Sequence, residues 1–147
     1  MDVLRRNTDY ALRAVVNLAG RYGGEPVSTR DLAKSEDVPY QLACKLLQKL
    51  HRAGLADSIM GPQGGFYLSR APGGISVLEV VEAIQGPISL NRCVLGVGAC
   101  PREGNCTISE RLIELQQQIN GYLGGLTLDE LLRHKRRKTK PRVRTKR

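Results

Sequence analysis

Aromatic side chains are scarce in this chain of 147 residues: tryptophan is absent, Phe66 is the sole phenylalanine, and there are five tyrosines. A core built from it must be aliphatic, and at this length it can be sizeable without disulfides. No apolar run approaches the ~20 residues needed to cross a bilayer. Met1–Arg6 leads into an amphipathic stretch rather than an apolar one, so no secretory signal is legible. The expected setting is the cytoplasm, where thiols stay reduced and clustered cysteines bind metal or sense redox state. Catalytic constellations are missing too. There is no nucleophile beside a histidine, no phosphate-binding glycine loop and no metal-hydrolase motif, which points away from an enzyme.

Acids are absent from one place in particular. The net charge is +9, yet residues 133–147 hold ten of the 23 Lys and Arg and no Asp or Glu. That basic end is expected to be a disordered tail able to add non-specific phosphate contacts. The rest of the chain is close to neutral. Within it, residues 1–74 carry ten basic and seven acidic groups, whereas residues 75–132 carry three and seven. The first half is the better candidate for a DNA face.

Periodicity then supplies the elements. Ala11, Val15, Leu18, Ala19 and Tyr22 fall at helical spacing, predicting a helix over 9–21 capped by Asn7 or Thr8. Ser28 opens a short second helix, with Asp31 three residues on as in a capping box. Pro39 suits the first turn of a third, whose Leu42, Ala43, Leu46, Leu47 and Leu50 form a buried stripe. LADSIM, GPQGG and FYLSR then read as strand, tight loop and strand. Helix, turn, helix and hairpin in that order define a winged helix–turn–helix. Ser76 with Glu79 predicts a capping box for the next helix, which Gly86-Pro87 ends. Thr107 with Glu110 predicts another, opening a long helix with Ile108, Leu112, Leu115, Ile119 and Leu123 on one stripe. A second copy of the chain is the economical partner for that stripe, giving a homodimer. TLDELLRH can add a short last helix. The expected architecture is mainly α with a small β-hairpin wing. Its parts are a winged helix–turn–helix over 1–86, a cysteine loop over 87–106, a dimerisation helix and short C-terminal helix over 107–132, and the basic tail.

With its leucines buried, the third helix presents Tyr40, Gln41, Cys44, Lys45, Gln48, Lys49 and Arg52. Gln41, Lys45, Gln48 and Arg52 recur at steps of four, three and four, on one face. Glutamine can pair with adenine, and lysine or arginine with guanine or phosphate, in a major groove. The N-terminal Tyr40, Gln41, Cys44 and Lys45 are the candidates for bases, and Lys49 and Arg52 for phosphate. Gln63 in the hairpin loop is a further candidate contact. Cys44 stands far from the other cysteines and is read as a small helix residue, not a ligand.

The other three thiols share one glycine-rich stretch, LNRCVLGVGACPREGNCTIS. Six residues separate Cys93 from Cys100 and five separate Cys100 from Cys106. Thiolates favour zinc or iron–sulfur centres. Structural zinc sites use closer pairs and four protein ligands, and the two histidines, His51 and His134, stand elsewhere. A flexible loop can wrap a larger inorganic core, so an iron–sulfur cluster leads, ahead of zinc and of redox or structural thiols.

As a set, NTDYALRAVVNLA, VPYQLACKLLQKLHRAGLADS, GPQGGFYLSRAPGGISVLEVVEAIQGP and the three cysteines before a long helix resemble the IscR/NsrR-type (Rrf) family of bacterial winged-helix regulators. The resemblance spans about residues 3–123. It implies a homodimeric repressor whose third helix enters the major groove, whose wing approaches the minor groove, and whose cluster state sets operator affinity. A [4Fe-4S] cluster fits this resemblance better than [2Fe-2S]. Three cysteines leave one iron of four without a protein ligand, and Asp9 matches the position that NsrR-like members use across the dimer. Arg13, one turn on, could bond Asp9 or offset cluster charge. The chain departs from the family in three places: the first cysteine gap is six where five is common, Ser109 stands where IscR-like members carry a histidine ligand, and Met60 stands where some members have an arginine at the wing's base. Nitric oxide, redox state or iron–sulfur status would be the signal. The alternatives are a metal-free regulator using thiols or a protein partner, and an electron-transfer protein.

Overall fold

Small residues make α1 the hub. The computed structural model describes residues 2–139, and α1 (Arg6–Gly20) runs through its centre with Ala11, Ala14, Val15, Leu18 and Ala19 buried. Three of those five are alanines, so the neighbouring helices approach closely. The helix starts three residues before the expected position, and neither Asn7 nor Thr8 caps it. Thr8 lies inside the helix, fully buried, and its hydroxyl donates to Gln85 Oε1 at 2.6 Å. Demand from that distant partner outweighed the local capping preference.

The helix–turn–helix follows. Ser28 accepts from the Asp31 N–H and caps α2 (Thr29–Ser35). A turn through Asp37, at φ 53°, leads to α3 (Tyr40–Arg52), which Pro39 precedes by one position. Ala43, Leu46, Leu47 and Leu50 are buried as expected. Gly54, at φ 74°, turns the chain into β1 (Ala56–Ile59), which pairs antiparallel with β2 (Gly65–Leu68), Ala56 facing Leu68 and Ile59 facing Gly65. Val27 adds a third rung by exchanging both backbone hydrogen bonds with Phe66, at 2.9 and 2.8 Å. Gly65 makes that rung possible, because a Cβ there would lie 2.3 Å from the Val27 carbonyl oxygen.

A 3-10 turn (Pro72–Gly74) leads to α4 (Val77–Gln85), whose Ser76–Glu79 capping box forms as expected. Arg70 braces the box through the Glu79 carboxylate and donates to the Gly74 carbonyl at 2.9 Å. Gly86, at φ 79°, ends the helix. After the cysteine loop comes α5 (Ser109–Gly125). It has no side-chain cap: the expected Thr107–Glu110 box does not form, and the Ser109 hydroxyl turns back to donate to the Cys106 carbonyl at 3.0 Å. Ile119 and Leu123 pack on Val77, Val81 and Ile88. Ile108, Leu115 and Tyr122 stay exposed. One flank of α5 therefore belongs to its own domain while the other is open.

α6 (Leu128–Thr139) corrects the expected organisation. Thr127 and Glu130 cap it reciprocally, Thr127 forms a backbone bridge with Ser76, and Leu128 and Leu132 are buried in the main core against α1. Residues 133–139 of the basic run are thus helical rather than a disordered tail, because capping and two anchoring leucines start a helix that strong helix formers continue. Residues 140–147 lie outside the described part of the chain. No helix among the described residues is long and apolar enough to cross a membrane.

Candidate DNA-reading surface and cysteine cavity

At about 100° per residue, Gln41, Lys45, Gln48 and Arg52 project directly opposite the buried stripe of α3, and all four are exposed. Tyr40 is half exposed, on the flank toward α2, with the Arg30 guanidinium 5.5 Å from its ring centre. Cys44 is half-buried beside the polar face. Lys49 sits apart from these. It points toward α4 and its ammonium donates to the Ile84 carbonyl at 3.2 Å. Arg52 is therefore the freer of the two candidate phosphate contacts. Gln63 is exposed in the hairpin loop, and Met60 is 91% exposed beside it. Gly64 keeps that loop tight, since a Cβ there would fall 2.0 Å from the Ile59 carbonyl oxygen. One helix and one hairpin thus project polar side chains with no core role.

The three clustered cysteines do come together around one cavity. It measures about 490 Å³ and is lined by Cys93, Cys100 and Cys106, with Glu103, Ser109 and Gln116 among its walls. The loop enters it through a 3-10 turn (Arg92–Val94), which Asn91 caps, and turns at Gly96, Gly98 and Gly104, each at positive φ. Its glycines are thus what allow a short segment to fold round a hollow. All three thiols are half-buried and unpaired as disulfides. Among the described residues no three Cys, His, Asp or Glu side chains converge on a single-ion site. Thiol side chains are ligands of the soft kind that zinc and iron–sulfur centres use.

Two wall residues were missed in the sequence. Gln116 is nearly fully buried; its Oε1 accepts from the Leu90 N–H at 2.9 Å and its Nε2 donates to Asn120 Oδ1 at 2.9 Å, so it fastens the start of the cysteine loop to α5. It stands in a run of three glutamines, where composition singles out none of them. Its place four after Leu112 and three before Ile119, on the buried stripe, was the available clue. Glu103 accepts from the Gly98 N–H across the loop.

Asp9 is not in this cavity. It is exposed at the start of α1, 3.4 Å from the Arg13 guanidinium. Arg13 stacks 4.8 Å from the Tyr10 ring and donates to the Glu36 carbonyl at 2.9 Å, fixing α1 to the turn between α2 and α3. Cys44 is likewise remote, on α3.

This combination of fold and surface defines a winged-helix DNA-binding transcriptional regulator. The profile of the Rrf2 family, described as an iron-dependent transcriptional regulator, matches residues 4–134, and the chain belongs to that family. The transcriptional regulator IscR of Klebsiella pneumoniae is 29% identical over 123 residues, covering 84% of this chain and 75% of the relative. IscR of Salmonella paratyphi B is equally similar, covering 84% and 74%. Among solved structures, CymR of B. subtilis, the global cysteine regulator of that organism, aligns with a TM-score of 0.76 at 24% identity, over 91% of this chain and 98% of its own. IscR of T. potens aligns with a TM-score of 0.74 at 22% identity, over 93% and 90%. Identities this low carry the fold and nothing finer.

Proposed function

We propose that the protein is a cytoplasmic, homodimeric repressor whose operator affinity is set by an iron–sulfur cluster, [4Fe-4S] rather than [2Fe-2S], held by Cys93, Cys100 and Cys106 with Asp9 of the partner subunit completing the set. The observation that carries this reading is the shared cavity: three cysteine side chains from one glycine-hinged loop line one hollow that α5 walls. Asp9 lies outside its own protomer's cavity, as a ligand supplied to the other copy would. When bound, the group supplies one-electron redox chemistry and iron sites open to nitric oxide or oxygen.

The chain's own residues do the rest. Gln41 and Lys45 read base edges, with Tyr40, Cys44 and Gln48 beside them; Arg52 and the hairpin's Gln63 hold the backbone, and Lys49 steadies α3 against α4. Gln116 ties the loop's start to α5. The other end of the connection runs through α4, whose last turn touches both α3, at Lys49, and the start of α1, at Thr8. A change in loop order can therefore reach the spacing of the two recognition helices, and a mismatch with half-sites one helical turn apart lowers affinity.

Anaerobic purification with iron, sulfide and absorption measurements tests the proposal. Acid-labile sulfide with a charge-transfer spectrum supports it. Iron-free and sulfide-free protein that still releases its operator on thiol oxidation would establish the rival reading. That reading, regulation by thiols without metal, draws on the same half-buried, accessible cysteines.

A further inference from the structure

α6 uses only its first turns to join the body. Leu132 reaches the C-terminal end of α1, with Cδ1 3.5 Å from where a Cβ on Gly20 would stand. Lys135 and Thr139 occupy the positions that would continue its buried stripe, and every residue from 133 to 139 is exposed. Arg133, Lys135, Arg136, Arg137 and Lys138 point round the whole circumference at about 100° per residue. Arg133 pairs with Asp129 at 2.6 Å, and no acid follows Glu130 in the sequence, which adds five more Lys or Arg over 140–147. Like charges three and four apart oppose the helix, and the cations' place at its C-terminus offsets this in part. Neutralisation by an external polyanion would remove that opposition.

The position of this half-helix selects the polyanion. The end of α1 that Leu132 touches leads into the segment whose Val27, seven residues after Gly20, bridges Phe66 of the wing strand β2 before α2 begins. Beyond Leu132 the helix has no apolar face, which a helix lying in a membrane surface requires. Evenly spread cations without a hydrophobic anchor suit the phosphates of a duplex.

We propose that the cationic half of α6 is a second, sequence-indifferent phosphate-gripping surface for DNA that flanks the bases read by α3 and the wing. This rests on the reading of the chain as an operator binder. The test uses the full chain and duplexes recovered by its own in-vitro selection from a random pool. One duplex carries the selected core alone; the other extends it by about one and a half helical turns of arbitrary sequence on each side. Wild type should bind the extended duplex about tenfold more tightly at low salt, the worth of a few released counterions. The exposed triple variant R136Q/R137Q/K138Q should keep its affinity for the core duplex and lose the gain from flanks. Its salt slope on the extended duplex should fall by about 0.9 for each phosphate contact removed. An unchanged flank gain and slope in the triple variant overturns the proposal. So does capture of wild type, but not the variant, by phosphatidylserine vesicles with no flank effect on DNA. Gln41→Ala and Lys45→Ala separate the two readings: loss of core discrimination with the flank gain intact supports both, and retained discrimination removes the recognition-helix assignment while the flank gain still judges α6.

Discussion

The Lys49 ammonium of the recognition helix donates to the Ile84 carbonyl, 3.2 Å away in the last turn of α4. The next side chain, Gln85, accepts from the Thr8 hydroxyl and the Arg5 N–H and donates to the Val3 carbonyl. Gly86 then turns the chain toward the cysteine loop. One helix end thus joins the DNA-reading helix, the N-terminal segment that carries Asp9, and the root of the loop.

Thr8→Val should expose how much that junction matters. The substitution keeps the volume and removes one of the two donors to Gln85 Oε1, which retains the Arg5 N–H at a partly buried position; losing that hydrogen bond costs about 0.5–1.5 kcal/mol. Urea unfolding of the metal-free protein should show a lower midpoint at unchanged slope. A midpoint equal to wild type would mean that water replaces the hydroxyl and that the junction is not a structural constraint.

Lys49→Ala and Lys45→Ala should part company on DNA. Lys45 faces away from the core, so its removal should cost on the order of 1–3 kcal/mol of discrimination if it makes a bidentate base contact. Gln41→Ala should behave likewise. Lys49→Ala should leave discrimination between operator and random duplex near wild type, because its ammonium is engaged by α4. Competition binding against mutated half-sites gives the answer, and a Lys49 variant that loses base preference at one position would return that lysine to the groove.

The winged helix–turn–helix was readable because its elements carry their own local signals. The leucine stripe of α3, Ser76 three before Glu79, and glycines at the sharp turns each report a nearby cause. Errors fell where one candidate partner, near or distant, won over another that the sequence favoured equally. Thr8 serves Gln85, 77 residues away, instead of capping α1. Thr107 yields to Ser109, which is held by the Cys106 carbonyl. Residues 133–139 look like the start of a solvated tail in sequence, yet continue a helix that starts in the core. The three cysteines were legible in sequence as members of one loop; that they line one cavity, with Gln116 and Glu103 in its wall, became visible only once the loop was closed.

Gly65→Ala should destabilise the wing. Its Cβ would meet the Val27 carbonyl carbon and oxygen, backbone atoms that cannot turn aside. Overpacking of this kind costs about 1–3 kcal/mol. Hydrogen exchange should show faster exchange at the Val27 and Phe66 amides, which bond each other's carbonyls, with α5 amides unaffected. Unaltered protection at both positions would show that the third rung is dispensable.

Glu79 links stability to acid. Burial pushes its carboxyl up, but the Ser76 backbone N–H, the Arg70 charge and hydrogen bonds from the Ser76 and Arg70 side chains together outweigh burial, so its pKa lies below the ordinary value. A carboxylate lowered in the folded state stabilises above its unfolded pKa of about 4.3, and that contribution fades as pH falls through the lowered folded value. The group is nearly half exposed, so solvent screening limits the ion pair to under about 1 kcal/mol. Glu79→Gln can still cap α4 and should lose a modest amount of stability at pH 7. The gap from wild type should close on acidification. A gap that stays constant from neutral pH to pH 3 would mean the charge contributes nothing.

Asp9 offers the sharpest test of the proposed sensor. Its carboxylate is exposed, with Arg13 as its partner within its own chain, and it does not line the cysteine cavity. A helix-start carboxylate of that kind needs no further role, because the helix dipole alone favours it. A ligand role adds a specific expectation: a hard carboxylate holds iron less firmly than thiolate, so this corner of the site should be the one that yields first. Asp9→Ala should then assemble a more labile centre and blunt the response of DNA binding to nitric oxide. Arg13→Gln should act differently, loosening the tie to the Glu36 carbonyl while leaving the carboxylate in place. Wild type and both variants are titrated anaerobically with a nitric oxide donor, following the absorption spectrum and operator binding in the same samples. Thr8 and Gln85 hold the segment in which Asp9 sits, so displacement of that carboxylate should be felt at the end of α4 and, through Lys49, at the recognition helix. Coupling of this sort requires the two states to differ in DNA affinity. Superimposable curves for wild type and Asp9→Ala would reduce Asp9 to a helix-end charge and leave the fourth position to another donor, with Glu103 in the cavity wall the next to replace.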